Sequence, residues 1–264
     1  MLKLTGIHKT FFPGSINAKH VLRGVDLTLN EGDFVTIIGG NGAGKSTMLN
    51  AIAGVWQVDE GQILIDGVDV TRLPEHKRSS LIGRVFQDPM LGTAASMEVE
   101  ENLAIAARRG KARTLRWSIQ NAERAEYRKL LARLDLGLEE RMNAKVGLLS
   151  GGQRQALTLL MATVQKPKLL LLDEHTAALD PKTAAKVLSL TDELIAESNL
   201  TALMVTHNMR DAIAHGNRLI MMQDGNIILD IAGEEKKKLT VEALLEKFSL
   251  VAGEEFSNDR TLLS

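Results

Sequence analysis

Three kinds of hydrophobic pattern occur along the chain. Alternating apolar positions predict antiparallel strands within residues 1–30, whereas helical spacing predicts helices across residues 97–165. Short apolar runs without alternation predict strands buried on both faces of a parallel sheet, at residues 34–38, 82–86, 169–172 and 201–205. Together these patterns indicate an α/β fold with a mixed sheet flanked by helices, an antiparallel β subdomain, and a helical subdomain inserted at about residues 88–165.

The remaining segments are turns and short elements. Asp66-Gly67 and Asp224-Gly225 each join two short apolar runs, which is typical of β-hairpins. Residues 9–15 end in Pro13-Gly14 and are expected to form a loop. We take residues 1–230 as one domain, followed in 231–264 by a short helix capped by Thr240 and a polar tail.

The run from Gly39 to Thr47 fits the phosphate-loop pattern G-x-x-x-x-G-K-[ST]. It lies between a predicted strand and a predicted helix, the context that the pattern requires. Glycine lets successive backbone N–H groups turn toward an anion, and the helix N-terminus adds its positive dipole end. A glycine turn that only caps a helix is the plainer interpretation, but all fixed positions are present. We therefore predict a nucleotide site, with Lys45 on the phosphates and Ser46 on Mg²⁺. The residues of this motif are Gly39, Gly40, Asn41, Gly42, Ala43, Gly44, Lys45, Ser46 and Thr47.

Polar residues follow three of the buried runs. Asp173 and Glu174 end the run of four leucines, at the edge where α/β sheets bind ligands. Asp173 can hold Mg²⁺ through water, and Glu174 is the candidate general base for an attacking water. Gln87 and His207 follow two other strands. A lone histidine after a strand is more often a surface residue, but its position beside these strand ends favours a catalytic role.

Two further helix starts carry candidate residues. Ser150 precedes Gly151, Gly152 and Gln153 as a natural N-cap, and a capped helix with glycines at its mouth can bind an anion. Asp180 caps the next helix, with Pro181 at its first position, which explains both residues structurally.

Composition excludes several classes of function. The 32 lysine and arginine residues nearly balance the 33 aspartate and glutamate residues, so the net charge does not indicate a protein that attracts nucleic acid. Cysteine is absent, which excludes disulfides and cysteine-ligated zinc. No apolar run approaches the ~18 residues of a membrane helix, and no signal peptide is visible. We expect a cytosolic protein that reaches a membrane only through a partner. We expect the basic run Arg108–Arg116 to be a solvated loop. A contact with lipid headgroups or an acidic partner is the alternative.

These motifs occur in one order and with sensible spacings, and together they resemble the ATP-binding cassette (ABC) family. The family markers are the phosphate loop, the Q-loop at Gln87, the LSGGQ signature at residues 149–153, the acidic strand end, the D-loop at residues 178–180 and a switch histidine at His207. The resemblance covers about residues 1–230. The phosphate loop alone is shared by many NTPases, but the signature combined with the other markers is specific to this family.

The resemblance implies a mechanism. Family members pair head to tail and close on two ATP molecules, so Ser150 and Gly152 of the opposite copy would contact the γ-phosphate. The resemblance also implies that Gly151, Gln153 and Asp180 bind ATP. Phe11 would stack on adenine, although Phe12 is also available. Gln87 would order Mg²⁺ with Ser46 and Asp173, while Glu174 would activate water and His207 would steady the γ-phosphate.

One position departs from the family pattern. Proline usually follows the acidic pair, whereas His175 stands there in this chain. We expect little effect on the chemistry, although the histidine could tune the D-loop.

The resemblance is strongest to stand-alone cassettes of bacterial importers. It implies an ATPase on the cytoplasmic face of the membrane, with a second copy of itself, a separate membrane permease and an extracytoplasmic solute-binding protein as partners. Small solutes such as aromatic amino acids are the expected class. The alternative is a cassette that acts on nucleic acid or ribosomes, or does mechanical work such as lipoprotein release or division. Zero cysteines and a single cassette argue against the nucleic-acid class.

Overall fold

The computed structural model of the protein describes residues 1–111 and 119–252, with side chains to Leu250. Its ten strands within these residues form two sheets. The strands are β1 (Leu2–Phe11), β2 (Lys19–Leu29), β3 (Phe34–Ile38), β4 (Glu60–Ile65), β5 (Val68–Asp69), β6 (Ile82–Val85), β7 (Leu169–Asp173), β8 (Thr201–Val205), β9 (Arg218–Gln223) and β10 (Asn226–Ala232). The small sheet has the order β2-β1-β4-β5 and the large one β10-β9-β3-β8-β7-β6.

Nine helices lie within the described residues. They are α1 (Lys45–Ala53), α2 (Glu75–Arg78), α3 (Val99–Ala107), α4 (Asn121–Ala132), α5 (Gly151–Thr163), α6 (Pro181–Ser198), α7 (Met209–Ala214), α8 (Gly233–Lys237) and α9 (Val241–Ala252). Three of them, α3 to α5, come between β6 and β7 along the chain. The expected helices at residues 97–108 and 118–134 are therefore present but shorter at both ends. The expected tail at residues 253–264 lies outside the described residues.

The large sheet explains the runs without alternation. Strands β6, β7, β8, β3 and β9 are parallel neighbours, with Leu172 of β7 opposite Met204 of β8. All five residues of β3 and of β8 are buried, because both faces of the sheet are covered. Parallel neighbours end at the same edge of a sheet. The loops after β6, β7, β8 and β3 therefore meet there.

The small sheet is antiparallel, as the alternation predicts. Leu2 pairs with Leu29 of β2 and with Ile65 of β4. The expected loop at residues 9–15 is wrong in its first part, because β1 continues to Phe11. Register shifts at residues 4–7, 7–8 and 9–10 break the alternation that would have revealed this extension.

Two buried charged residues bind carbonyl oxygens at the ends of helices. Arg78 is 1% exposed and donates to Ala51 O and Ile52 O, the last carbonyls of α1, both at 2.8 Å. Lys236 of α8 is also buried and donates to His215 O and Gly216 O, which follow the end of α7. Both buried cations are thus paired with carbonyl oxygens at or just beyond a helix C-terminus.

The basic run between α3 and α4 differs in part from the expected solvated loop. Arg108 is exposed and pairs with Glu123 at 3.1 Å, whereas Arg109 is half-buried and donates to Ala162 O at 3.1 Å. Residues 112–116 of this run lie outside the described residues. The prediction is wrong for Arg109, because its side chain packs along α5.

Candidate active site

The loop between β3 and α1 has the shape that the glycine pattern requires. Gly39 and Gly44 have φ of 150° and 101°. A Cβ on Gly39 would lie 2.2 Å from Met222 O, and one on Gly44 would lie 3.0 Å from Val21 O. Helix α1 begins after Gly44 without a side-chain cap. Its first backbone N–H groups are thus left for a ligand. The neighbouring strands leave no room for a side chain at Gly39 or Gly44.

Lys45 is folded into this loop. Its Nζ donates to Gly39 O at 2.7 Å and to Gly40 O at 3.0 Å, and the residue is 7% exposed. Burial lowers the pKa of Lys45, and the negative charges of Glu174 and Asp173 partly oppose that shift. The ammonium is held at the bottom of the loop, where a phosphate would replace the carbonyl oxygens as its partner.

Ser46 and Asp173 meet beneath the loop. Ser46 Oγ donates to Asp173 Oδ1 at 3.4 Å, across the end of β7. Arg84 NH2 lies 3.8 Å from Asp173 Oδ2 and donates to Asn50 Oδ1 at 2.7 Å. Burial raises the pKa of Asp173, while the Arg84 charge opposes this. Arg84 is a site residue that sequence reasoning missed. The available signal was a charged residue inside the otherwise apolar run 82–86.

Two strand-end residues, Gln87 and His207, approach the carboxylate of a third, Glu174. Gln87 Nε2 donates to Glu174 Oε2 at 3.3 Å, and His207 Nδ1 lies 3.5 Å from the same oxygen. Glu174 itself has φ of 44°, in the left-handed region that non-glycine residues rarely adopt. This backbone turn follows directly after the last residue of β7. The structure therefore brings together Gln87, Asp173, Glu174 and His207 beside the phosphate loop.

The signature residues lie apart from this group. Ser150 is exposed, and its Oγ accepts from Gln153 N at 3.3 Å, while Gln153 Oε1 accepts from Ser150 N at 3.1 Å. Gly151 and Gly152 start α5, and a Cβ on Gly152 would meet Thr183 Cγ2 of α6 at 2.2 Å. Within the described residues, no hydrogen bond joins Ser150–Gln153 to the phosphate loop.

Asp180 and His175 both secure α6. Asp180 Oδ1 accepts from Thr183 N at 3.1 Å, so it is the N-cap that the sequence predicts, with Pro181 next. His175 is 2% exposed, and its Nε2 lies 3.1 Å from Thr191 Oγ1. The Thr191 hydroxyl donates to Val187 O, so Nε2 of His175 must be the donor in this pair. Burial, with the nearby His215 charge, lowers the pKa of His175 to about 4.

The aromatic residues at the end of β1 differ in exposure. Phe11 is half-buried, with its ring edge-on to Trp56 at a centroid distance of 5.4 Å and Lys9 Nζ 5.6 Å from its centroid. Phe12 is 69% exposed, with φ of 52°. Phe11 is held in place by its neighbours, which suits a platform for a flat ring better than Phe12 does.

Comparison with known proteins agrees with this geometry. The model of the ABC transporter family matches residues 22–177. The chain is 45% identical over 248 residues to a tyrosine transport ATP-binding protein of Clostridioides difficile, covering 94% of this chain and 98% of that protein. It is 36% identical to the spermidine/putrescine import ATP-binding protein PotA of Aliivibrio fischeri, covering 96% of this chain but only 64% of that relative.

Solved structures give the same result. The fold matches the dimeric, post-hydrolysis ATP-binding cassette MJ0796 bound to ADP and Pi, with a TM-score of 0.76 and 31% identity over 88% of this chain and 98% of that one. It also matches the ADP conformation of the cassette MJ1267, with a TM-score of 0.77 and 30% identity over 94% and 98% of the two chains. The expected P-loop NTPase core with its separate antiparallel sheet is thereby confirmed. The chain belongs to the ABC transporter family and is the ATP-binding, ATP-hydrolysing subunit of a transporter.

Proposed function

We propose that this subunit drives the import of a small solute, with amino acids of the tyrosine type as the class, through a separate permease. The support is its 45% identity to a tyrosine transport ATP-binding protein along nearly the whole length of both chains. In residues 1–111 and 119–252, no helix combines the length and the apolarity needed to cross a bilayer. The subunit would therefore bind the permease peripherally, on the cytoplasmic face. A separate extracytoplasmic protein would deliver the solute.

One observation carries the catalytic part of the proposal, namely the shared contact of Gln87 and His207 with Glu174 Oε2. A carboxylate beside the phosphate loop can take the proton of a water that attacks the terminal phosphate. His207 would hold that water and the γ-phosphate in line. Gln87 would sense the nucleotide from the neighbouring strand end.

The residues present also fit Mg²⁺. Ser46 Oγ and Asp173 Oδ1 lie 3.4 Å apart beneath the loop, and oxygen ligands are what this ion prefers. Ser46, Asp173 and Gln87 would hold it, and the ion would neutralise charge that develops on the phosphates. Lys45 and the backbone N–H groups of residues 39–47 would bind and orient the same phosphates.

A second copy of the chain completes the proposed site. The signature start at Ser150–Gln153 makes no hydrogen bond with the phosphate loop of its own chain in the described residues. A head-to-tail pair would bring it, with Asp180, to the ATP of the other copy. The similar cassette MJ0796 is dimeric. Loss of the bridging phosphate on hydrolysis would then let the pair open.

Permease contact is proposed at residues 88–101. Leu91, Met97 and Glu101 line a groove of about 1410 Å³ between the large sheet and the helices α3 to α5. Leu91 is 70% exposed and Ile105, on the same groove, 56%. The groove borders Arg84 and Phe86, and therefore Gln87, so a partner in it could act on the catalytic carboxylate.

Glu174→Gln tests the catalytic role. The amide keeps the shape but cannot accept a proton, so hydrolysis should fall by about 100-fold or more while ATP binding stays normal. ATP-bound dimer should accumulate in size-exclusion chromatography. Glu31→Gln, at an exposed turn, is the matched control and should behave as wild type. Near-normal hydrolysis by Glu174→Gln with the permease present would remove Glu174 from this role.

Leu91→Glu and Ile105→Glu test the permease contact. Both should lower co-purification with the permease and its stimulation of hydrolysis, because a charge would replace an exposed apolar side chain that the permease would bury. Hydrolysis by the isolated subunit should stay unchanged. Val68→Glu, at an exposed position of the small sheet, is the control. Full attachment and stimulation in both groove variants would place the contact elsewhere.

A further inference from the structure

A second lysine lies over the phosphate loop, on a strand outside the large sheet. Strand β2 runs beside the loop, since Val21 O is 3.0 Å from the Cβ position of Gly44. Lys19 lies two residues before Val21 on this strand, across the register shift at residues 9–10 of the β1–β2 ladder. Its Nζ is 3.7 Å from the Cβ position of Gly42. The ammonium therefore reaches the outer rim of the loop.

This ammonium has no competing partner in the part of the chain that the structure describes. Lys19 is exposed, and neither a hydrogen bond nor an ion pair of the described residues includes its Nζ. By contrast, Lys9 on the neighbouring strand is paired with Asp59 at 2.9 Å. A free cation beside a loop of inward-turned N–H groups raises the local positive potential for a phosphate.

The strand pairing fixes the direction from which Lys19 approaches. Lys19 is the residue opposite Phe11 in the β1–β2 ladder, and Phe11 is the proposed adenine platform. Lys19 thus lies between the proposed site of the base and the phosphate loop. Lys45 differs from it in being buried, with its Nζ donating to Gly39 O of the loop.

We propose that Lys19 is a nucleotide-binding residue that contacts the phosphate chain of ATP or ADP, as a second cation above the loop. This assignment rests on the proposed nucleotide site. The contact is an exposed, charge-assisted one, so it adds to affinity and is screened by salt. It is also independent of the family motifs, because it lies on β2 rather than on any marker segment.

Titration calorimetry of the full chain with ATP, ADP and adenosine tests this assignment. Lys19→Met should weaken the binding of ATP and ADP about three- to tenfold and leave the affinity for adenosine within about twofold of wild type. Lys19→Arg should retain most of the affinity. Lys3→Met, an exposed lysine on the same sheet, is the matched control and should bind all three ligands as wild type does. Salt raised from roughly 50 to roughly 300 mM should weaken ATP binding more in wild type than in Lys19→Met.

Two results would overturn the assignment. One is ATP affinity in Lys19→Met within about twofold of wild type. The other is an equal loss for adenosine, which would mean that Lys19 supports the base platform instead of the phosphates. Unchanged ATP binding in Lys45→Ala would overturn the proposed nucleotide site itself, and this inference with it.

Discussion

The two glycine-flanked helices α1 and α5 begin in opposite ways. Helix α1 follows Gly44 with no side-chain cap, so its first N–H groups are open. Helix α5 begins with a capping box, in which Ser150 and Gln153 satisfy each other's backbone N–H groups. Gln153 is held further by Leu136 O, at 3.0 Å from its Nε2. We name these the open end and the closed end.

The difference shows which end can work within a single chain. The open end lies beside Asp173, close to Glu174, so the proposed phosphate site and the proposed general base share one subunit. At the closed end, Ser150 Oγ accepts a hydrogen bond from Gln153 N, and the hydroxyl hydrogen is still free to be donated. The closed end is thus stable alone and can still donate to a phosphate brought by another copy.

The largest expected effect separates the two ends by ligand binding. Lys45→Ala should weaken ATP binding by about 100-fold or more, because it removes the main cation of the open end. The melting temperature should stay equal or rise, since a buried charge whose pKa is lowered by desolvation is removed. Calorimetry and thermal unfolding measure both. A large fall in melting temperature would instead make Lys45 a structural residue.

The next effect concerns packing at the closed end. Gly152→Ala should destabilise the chain by about 1–3 kcal/mol, because the new Cβ would lie 2.2 Å from Thr183 Cγ2. ATP binding to the isolated subunit should be unaffected. Thr183→Ser removes that methyl group and should restore most of the stability in the double variant. If the double variant is as unstable as Gly152→Ala alone, the two residues are not in contact.

Acid should lower the stability of the fold at α6, the helix against which Gly152 of the closed end packs. His175 anchors α6 through Thr191, and its pKa is about 4 in the fold against 6.5 unperturbed. Between these values the unfolded chain binds the proton and the folded chain does not, so stability falls as pH falls from 6.5 toward 4. The loss is about 2 kcal/mol at pH 5. His175→Gln, which cannot titrate, should lose less stability in urea unfolding from pH 7 to 5. Equal losses in both proteins would contradict the assignment.

The smallest effect is the loss of the cap itself. Ser150→Ala should cost about 1 kcal/mol of stability, seen as a drop of a few degrees in melting temperature. ATP affinity of the isolated subunit should be unchanged, in contrast to Lys45→Ala. Reduced ATP binding in an isolated, monomeric Ser150→Ala chain would mean that the closed end serves the nucleotide of its own chain.

Sequence patterns predicted most of the large sheet and the open end. The runs ending before Gln87, Asp173 and His207 are strands that adjoin one another, which is why these residues meet at one edge. The glycine pattern likewise predicted the loop, because its backbone conformation depends on residues next to one another. Local signals of this kind can be read directly from the chain.

What the sequence did not reveal depends on contacts between distant segments. Lys19 reaches the loop only because β2 of the small sheet lies against it, and His175 is interior only because α6 packs over it. The extension of β1 to Phe11 was missed because bulges interrupt its alternation. Such features follow from how elements pack, which a single sequence does not specify residue by residue.

The left-handed backbone at Glu174 has a consequence for protein engineering. Its φ of 44° costs a side-chain-bearing residue about 1–2 kcal/mol, a cost that glycine does not have. Glu174→Gly is therefore expected to be tolerated by the fold and to give an inactive subunit. A selection for thermostability alone would favour that substitution. Stabilised variants of this subunit should be selected for turnover at the same time, because the proposed general base stands where the backbone conformation favours glycine.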